Sequence, residues 1–189
     1  MSIFRQKTIL IAAISPEGIL AIDGHMPWHQ PEDLKRFQKL TKNNVIVYGR
    51  KTHDSFVELG CSPLPGRVNY IVSRTLTNID NNFTAVFTSI EEALSTARLV
   101  HSEKDIYICG GATIYEQTLP IVDKIELTII NKDQVCYHEG ERTIFPNWEK
   151  NILSKDFEIE RLSRSNTCQY VTYKRRPITA VNKIRSLFL

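Results

Sequence analysis

The chain has few cysteines and no paired cysteine motif. Its four cysteines, Cys61, Cys109, Cys136 and Cys168, are scattered through 189 residues without a CxxC pair. Disulfide scaffolds have dense cysteines at regular spacings, and zinc sites have clustered ligands. The scatter therefore favours free thiols in a cytoplasmic protein over either of these architectures.

A large excess of one charge and a long apolar run are also lacking. The formal net charge is +3, and Lys and Arg form no long block before the last sixteen residues, so we predict no nucleic-acid partner. No stretch has the length of a membrane span. Arg5 and Lys7 precede the apolar run 8–14, but this run is short for a signal peptide and Pro16 follows at once. A buried first strand is the better interpretation, with no membrane partner.

Metal-ligand spacing occurs near residue 30, where prolines disrupt it. His25, His29 and Asp33 are four residues apart, as ligands on one helix face would be. Pro27 and Pro31 interrupt any helix that could align them. We predict no metal site.

Short apolar runs alternate with helical patterns along most of the chain. Composition, with 42% hydrophobic and 24% charged residues, is typical of one globular domain, which we place at residues 1–176. The pattern predicts helices from residue 31 and at 52–59, 90–99 and 112–119, the third opened by a capping box of Ser89 and Glu92. It predicts strands at 9–14, 45–48, 70–72, 85–87, 106–109, 125–130, 157–162 and 168–174. The predicted fold is α/β, a single domain with a central, mostly parallel eight-stranded sheet, about four flanking helices and a C-terminal antiparallel hairpin.

Residues 177–189 form a C-terminal extension of unknown role. Val181, Ile184, Leu187 and Phe188 recur at helical spacing. Such a helix could dock on the domain, on a second subunit or on a membrane surface. A frayed, solvated end is an equal alternative, since a helix this short is marginal by itself.

Asp33 is the most informative residue of the chain. Pro31 suits the first turn of a helix, in which Asp33 and Phe37 lie four residues apart and the carboxylate borders an apolar stripe with Leu34. One interpretation is an exposed acidic residue favoured by the helix dipole. The other is a buried functional carboxylate, whose pKa would rise towards neutrality because burial disfavours its charged form.

Two predicted strand-to-helix junctions contain glycine. Residues 49–52 read Gly-Arg-Lys-Thr and residues 110–113 read Gly-Gly-Ala-Thr. Glycine permits close backbone approach, and the helix that follows offers free N–H groups to phosphate. Neither junction matches the GxGxxG or P-loop pattern, so each alone is a weak signal. Arg50, Lys51 and Arg74 would favour a 2′-phosphorylated dinucleotide.

In order along the chain, several motifs together resemble the dihydrofolate reductase family, over about residues 8–176. They are Ala12-Ala13, Met26-Pro27-Trp28, Asp33-Leu34 with Phe37, Gly49-Arg50-Lys51-Thr52, Leu64-Pro65-Gly66-Arg67, Gly110-Gly111 with Ile114-Tyr115-Glu116-Gln117, Thr128, and Phe145-Pro146. The resemblance implies NADPH-dependent reduction of 7,8-dihydrofolate to tetrahydrofolate, in support of one-carbon metabolism. Hydride would pass to C6 of the pterin, with protonation at N5 by water. Antifolates such as diaminopyrimidines would be plausible ligands, and we expect a monomer.

The resemblance also implies roles for the matched residues. Asp33 would bind the pterin 2-amino group and N3 with support from Thr128, and Arg67 would pair with the glutamate carboxylate of the substrate. The Gly110-Gly111 peptide would be cis beside the cofactor. The catalytic set that the resemblance implies comprises Asp33, Trp28, Met26, Thr128 and Tyr115. Met26 and Trp28 would belong to a mobile loop that closes over the pterin ring. The substrate set comprises Ile11, Leu34, Phe37, Phe56, Leu64 and Arg67. The cofactor set comprises Ala13, Leu20, Gly49, Arg50, Lys51, Thr52, Ser73, Arg74, Cys109, Gly110, Gly111, Ala112, Thr113, Ile114 and Tyr115.

Three departures from the family pattern lie near predicted loops. Ala21 stands where glycine is usual, residues 57–62 form a longer segment than in compact bacterial-type members, and Glu141-Arg142 replaces the usual acidic position. These departures could alter kinetics without altering the reaction.

Two alternatives stay open. A related pyrimidine-pathway reductase would share the scaffold and the cofactor site, but it is not expected to combine Met26-Pro27-Trp28, Asp33 and Arg67. A protein that binds nucleotide or folate without turnover would need a defect in the hydride path, and none is visible in the sequence.

Overall fold

The computed structural model describes residues 5–77, 83–148 and 156–177. Four α-helices are described, α1 (Pro31–Thr41), α2 (Arg50–Glu58), α3 (Ile90–Val100) and α4 (Ala112–Thr118), together with a 3₁₀ turn at Lys132–Gln134. The described strands are β1 (Thr8–Ile14), β2 (Ile19–Ile22), β3 (Val45–Gly49), β4 (Val68–Val72), β5 (Thr84–Phe87), β6 (Ile106–Ile108), β7 (Lys124–Ile130), β8 (Arg142–Ile144), β9 (Phe157–Arg164) and β10 (Cys168–Arg175).

Eight strands form the central sheet in the order β5-β4-β3-β6-β1-β7-β10-β9. The pairs from β5 through β7 are parallel, while β10 pairs antiparallel with both β7 and β9. The predicted mostly parallel sheet with a C-terminal antiparallel hairpin is therefore confirmed.

Helices cover both faces of the sheet. Along β1, Leu10 and Ile14 belong to a core beneath α3 and α4, whereas Ile9 and Ile11 belong to a second core beneath α1 and α2. Successive strand residues point to opposite faces, and both faces are apolar here. This explains why the parallel strands appear in the sequence as continuous hydrophobic runs.

Local sequence signals predicted the start of α3 and misplaced the start of α2. Ser89 Oγ accepts the Glu92 N–H at 3.1 Å, but the Glu92 carboxylate bonds the N–H and hydroxyl of Thr88, so half of the predicted capping box forms. Helix α2 begins at Arg50 rather than at the predicted residue 52, because Gly49 is its N-cap. Arg50 and Lys51 thus lie in the first turn.

A second sheet, of two strands, was missed by the sequence analysis. Strands β2 and β8 pair antiparallel, with Ala21 opposite Thr143. Asp23 extends the contact, since its N–H donates to the Glu141 carbonyl at 2.9 Å and its carboxylate accepts the Glu141 N–H at 2.8 Å. Strands of four and three residues are too short for a clear alternation. This sheet pairs the segment between β1 and α1 with the segment between β7 and β9.

The helical pattern predicted beyond residue 177 lies outside the described residues. Among the described helices, none has the length and apolar character needed to cross a membrane.

Candidate active site

The carboxyl ends of four adjacent strands bring predicted site residues together. In the order β3-β6-β1-β7, these strands end at or near Gly49, Cys109, Ala13 and Thr128, with Ala13 directly opposite Thr128. Open α/β sheets bind ligands at this edge. The edge is therefore the candidate active site.

Asp33 lies half-buried in the first turn of α1 and faces β7. Removal from water raises the pKa of its carboxyl above the usual range, while the Thr128 hydroxyl and the positive charge of Arg36 oppose that rise. The adjacent Glu32 carboxylate adds to it. The fully exposed placement considered from the sequence is therefore wrong.

Apolar side chains from α1, α2, the sheet and the segment before β4 form one cluster. Ile11, Leu64 and Cys109 are buried members of the second core, and Phe37 and Phe56 pack against them. Leu34 differs, because 41% of it is exposed and it does not join this group. Four of the five apolar residues predicted for the substrate thus share one cluster.

Arg67 is 8% exposed and makes unusual contacts for a buried cation. Its Nε donates to Thr41 Oγ1 at 2.7 Å and its Nη1 to the Pro65 carbonyl at 2.8 Å. Within the described ranges, no carboxylate pairs with it. Burial lowers the pKa of the guanidinium. A buried charge without a counter-ion is costly, so this position suits an incoming anion.

The two glycine junctions lie side by side. The Gly49 N–H donates to the Gly110 carbonyl at 2.7 Å, and the Gly110–Gly111 peptide is cis, as the resemblance implied. Gly110 has φ +106°, which side chains rarely adopt. A Cβ on Gly49 would lie 2.9 Å from Ile114 Cγ1. Glycine is needed at both junctions for this close approach.

Tyr115 joins α4 to the central strand. Its buried hydroxyl donates to the Ile11 carbonyl at 2.7 Å. Burial raises the pKa of this phenol well above its ordinary value, and nearby Cys109 and Asp33 act in the same direction. Tyr115 therefore stays neutral, and its hydrogen bond connects α4 to β1.

Cations follow the carboxyl ends of the neighbouring strands β3 and β4. Arg50 forms an exposed ion pair with Asp54 at 2.7 Å, whereas Lys51 and Arg74 are exposed and pair with no carboxylate in the described chain. Ser73 accepts two backbone N–H groups of the turn after β4, which fixes that turn.

The remaining cofactor residues are distributed around these features. Thr52 lies in the first turn of α2, Ala112 and Thr113 lie in the first turn of α4, and Leu20 of β2 packs against the first core.

The two residues predicted for a closing loop, Trp28 and Met26, lie in the segment before α1 and differ in exposure. Trp28 is buried with Ile130, Val135 and Cys168, whereas Met26 is 51% exposed. In this conformation Trp28 belongs to the wall of the site and Met26 lies at its surface.

Sequence reasoning missed Arg36 of α1 and Glu126 of β7, which form an ion pair at 2.5 Å. Arg36 lies three residues after Asp33, on the same helix face, and that spacing could have identified it. Glu126 is a charge inside an otherwise apolar strand, a second available signal. In the described segments, no group of three or more His, Cys, Asp or Glu residues could hold a metal ion.

The comparisons with known proteins agree with this geometry. The dihydrofolate reductase family model matches residues 7–175. Dihydrofolate reductase HdrB of Haloferax volcanii is 34% identical over 180 residues, which cover 94% of this chain and 88% of that protein. The dihydrofolate reductase of Mycobacterium leprae is 37% identical over 137 residues, covering 72% of this chain and 79% of that protein.

A solved structure gives the same assignment. Dihydrofolate reductase from Enterococcus faecalis, in complex with NADP(H) and RAB-propyl, superposes with a TM-score of 0.71 at 27% identity. The match covers 92% of this chain and 98% of that one. This chain belongs to the dihydrofolate reductase family.

Proposed function

We propose that this protein reduces 7,8-dihydrofolate to 5,6,7,8-tetrahydrofolate with NADPH. The observation that carries the proposal is Asp33, a half-buried carboxylate with a raised pKa beside Thr128, at the carboxyl edge of the sheet. An anion at this depth can hold a cationic or proton-donating heterocycle in one orientation. Family membership supports a pterin as that heterocycle.

The residues present fit a phosphorylated dinucleotide. Gly49 caps α2 without a side-chain bond, so backbone N–H groups remain available at the helix start. Lys51 and Arg74 are exposed and pair with no carboxylate among the described residues, so their positive charge suits a 2′-phosphate. When bound, NADPH would supply the hydride that reaches C6 of the pterin.

Asp33 would orient the pterin and favour its protonation. Its carboxylate would accept hydrogen bonds from the 2-amino group and N3, and the Thr128 hydroxyl would donate a further hydrogen bond to it. The anion would stabilise positive charge on the ring, so that N5 takes a proton from water more readily. Protonation at N5 makes C6 a better hydride acceptor.

The rest of the substrate would lie along the apolar cluster. Phe37, Phe56 and Leu64 would contact the aminobenzoyl ring. The buried Arg67 guanidinium would pair with the glutamate carboxylate and thereby obtain a counter-ion. Trp28 and Met26 would close over the pterin and exclude water, which strengthens the electrostatic contacts inside.

We further propose a monomeric cytoplasmic enzyme. The residues proposed for the pterin and for the dinucleotide all belong to one chain, so the proposed site needs no second subunit. All four cysteines are free, in keeping with a reducing compartment. Size-exclusion chromatography with light scattering would test the oligomeric state, and fractionation of the source cells would test the location.

The activity is tested by mixing the purified protein with NADPH and dihydrofolate and following NADPH absorbance. Absorbance should fall only when both substrates are present, and Asp33→Asn should nearly abolish the fall. Unchanged absorbance, with both ligands bound according to calorimetry, would indicate a binding protein without turnover. Turnover of a pyrimidine-pathway substrate in place of dihydrofolate would indicate the related reductase.

A further inference from the structure

An ion pair joins α1, the helix that carries the candidate catalytic carboxyl, to strand β7. Arg36 Nη2 lies 2.5 Å from Glu126 Oε2, and the two side chains are 20% and 14% exposed. Arg36 follows Asp33 by three residues on α1, so both side chains point to the same part of the sheet. Glu126 lies on β7 two residues before Thr128, on the same strand face.

Strand β10, which pairs with β7, contributes further contacts to this ion pair. On β10, Thr172 is opposite Glu126 and Tyr170 is opposite Thr128. Thr172 Oγ1 donates to Glu126 Oε2 at 2.9 Å, and the Tyr170 ring lies 5.2 Å from the Arg36 guanidinium carbon. The second hydrogen bond and the ring contact restrain both charged groups.

Arg36 also contacts the threonine that supports Asp33. Its Nη1 lies 3.4 Å from Thr128 Oγ1, a long hydrogen bond. A hydroxyl has one hydrogen and two acceptor positions. When the guanidinium uses an acceptor position, the hydroxyl hydrogen is free to point at the Asp33 carboxylate, which Thr128 stabilises.

We propose that Arg36, held by Glu126, is a positioning residue that aims the Thr128 hydroxyl at Asp33 and sets the charge that Asp33 faces during the reaction. This inference rests on the proposed function for its effect on turnover. Its effect on Asp33 itself can be measured without turnover.

The other groups around Asp33 leave Arg36 as the cation that faces it. Glu32, its helix neighbour, is negative and disfavours a second negative charge. Tyr115 from α4 and Cys168 and Tyr170 from β10 have pKa values raised by burial, so they are neutral at physiological pH. Within the described residues, Arg36 is the positive group that acts on the carboxyl.

Two single variants should shift the pH profile in opposite directions. In Arg36→Gln the anionic site loses its cation, so the pH at which the hydride step falls to half its maximum should rise by about one unit. In Glu126→Gln the cation remains without its partner, and that pH should fall. A purely structural role predicts shifts of the same sign or none.

A matched control comes from the Lys124–Glu160 ion pair, which joins β7 to the exposed edge strand β9. Glu160→Gln also removes a carboxylate from an ion pair on this sheet, but outside the site. Its pH profile should match that of the unaltered protein. A shift as large as that of Glu126→Gln would overturn the proposal, because any ion pair on the sheet would then have the same effect.

The decisive readout is the carbon-13 NMR titration of the Asp33 carboxyl in the ligand-free protein, assigned with Asp33→Asn. The midpoint should rise in Arg36→Gln and fall in Glu126→Gln. Equal titration midpoints in the two variants and the unaltered protein would overturn the proposal, whatever the kinetics show. Opposite shifts without dihydrofolate turnover would retain the charge arrangement and overturn the proposed function instead.

Loss of one partner of a largely buried pair can prevent folding. In that case the double variant Arg36→Gln/Glu126→Gln decides, because two amides can still hydrogen-bond. Arg36 acts on the Asp33 carboxyl directly, whereas Glu126 acts through Arg36. Loss of both charges should therefore still raise the Asp33 midpoint. An unchanged midpoint would overturn the proposal.

Discussion

The guanidinium carbon of Arg67 lies 5.7 Å from the centre of the Phe37 ring, so the charged and apolar parts of the proposed substrate site are in contact. The same guanidinium donates to Thr41 and to the Pro65 carbonyl. These contacts hold the cation beside the aromatic wall, where a ligand carrying both a ring and a carboxylate could use both.

Arg67→Ala should therefore weaken folate binding by about 2 kcal/mol or more, since a charge-assisted bond to carboxylate is lost. A simple dihydropteridine without glutamate should bind almost unchanged. Calorimetric titration of both ligands measures the difference. An identical loss for the two ligands would mean that Arg67 supports the fold through Thr41 and Pro65.

Cofactor choice should depend on Lys51 and Arg74, which pair with no carboxylate in the part of the chain that the structure describes. The double variant Lys51→Gln/Arg74→Gln should lose about 2 to 4 kcal/mol of transition-state stabilisation with NADPH and little with NADH, because the 2′-phosphate distinguishes the two cofactors. The readout is kcat/KM for each. Arg161→Gln/Arg164→Gln on the exposed edge strand removes the same charge and should leave both values unchanged. Equal losses with both cofactors in the site variant would contradict the assignment.

Asp33→Asn should reduce turnover at neutral pH by two to three decades or more, equivalent to about 3 to 4 kcal/mol. The amide keeps the size but loses the charge and presents an N–H₂ group to donors on the pterin. Acid should partly restore the rate, because dihydrofolate that is already protonated in solution needs the carboxylate less. Rates measured against pH by single turnover would show this recovery. Near-normal turnover at neutral pH would exclude Asp33 from the mechanism.

The same substitution should make the fold more stable. The pKa of Asp33 is raised in the folded state, so the folded protein binds its proton more tightly than the unfolded chain does. The ionised group therefore lowers stability at pH values above the folded pKa, and this cost disappears as the pH falls towards the ordinary pKa of an aspartate side chain, about 3.9. Asp33→Asn should raise the melting temperature at neutral pH and converge with the unaltered protein in acid. Lower stability at neutral pH would show that the charge stabilises the fold.

Tyr115→Phe tests the link between α4 and β1. Loss of the hydroxyl leaves the buried Ile11 carbonyl without its donor, which should cost about 1 to 2 kcal/mol of unfolding free energy. Tyr70→Phe is the matched control, because this buried tyrosine belongs to the same core and its hydroxyl bonds no other described residue. Urea denaturation of both variants measures the difference. Equal losses would assign the effect to general packing.

Local patterns were enough to predict the layers of the fold. The runs at 45–48 and 106–109 were recognisable because parallel strands are covered on both faces, and the Ser163–Thr167 segment marked the hairpin because turn residues separate two apolar runs. The strands β2 and β8 were missed because four and three residues contain too few alternations to be distinguished from loop.

The sequence by itself also determined which residues we propose for the site. Met26-Pro27-Trp28, Asp33, Arg67 and Gly110-Gly111 are readable in order as members of one family pattern, because each is a short motif whose chemistry is carried by local residues.

Only the tertiary structure decided the environment of Asp33. Its burial, its contact with Thr128 and the Arg36–Glu126 pair bring together residues up to 95 positions apart. The strength of a charge interaction depends on distance and on exclusion of water, and neither is encoded in any local stretch of the chain. The packing of α1 against β7 creates both conditions at once.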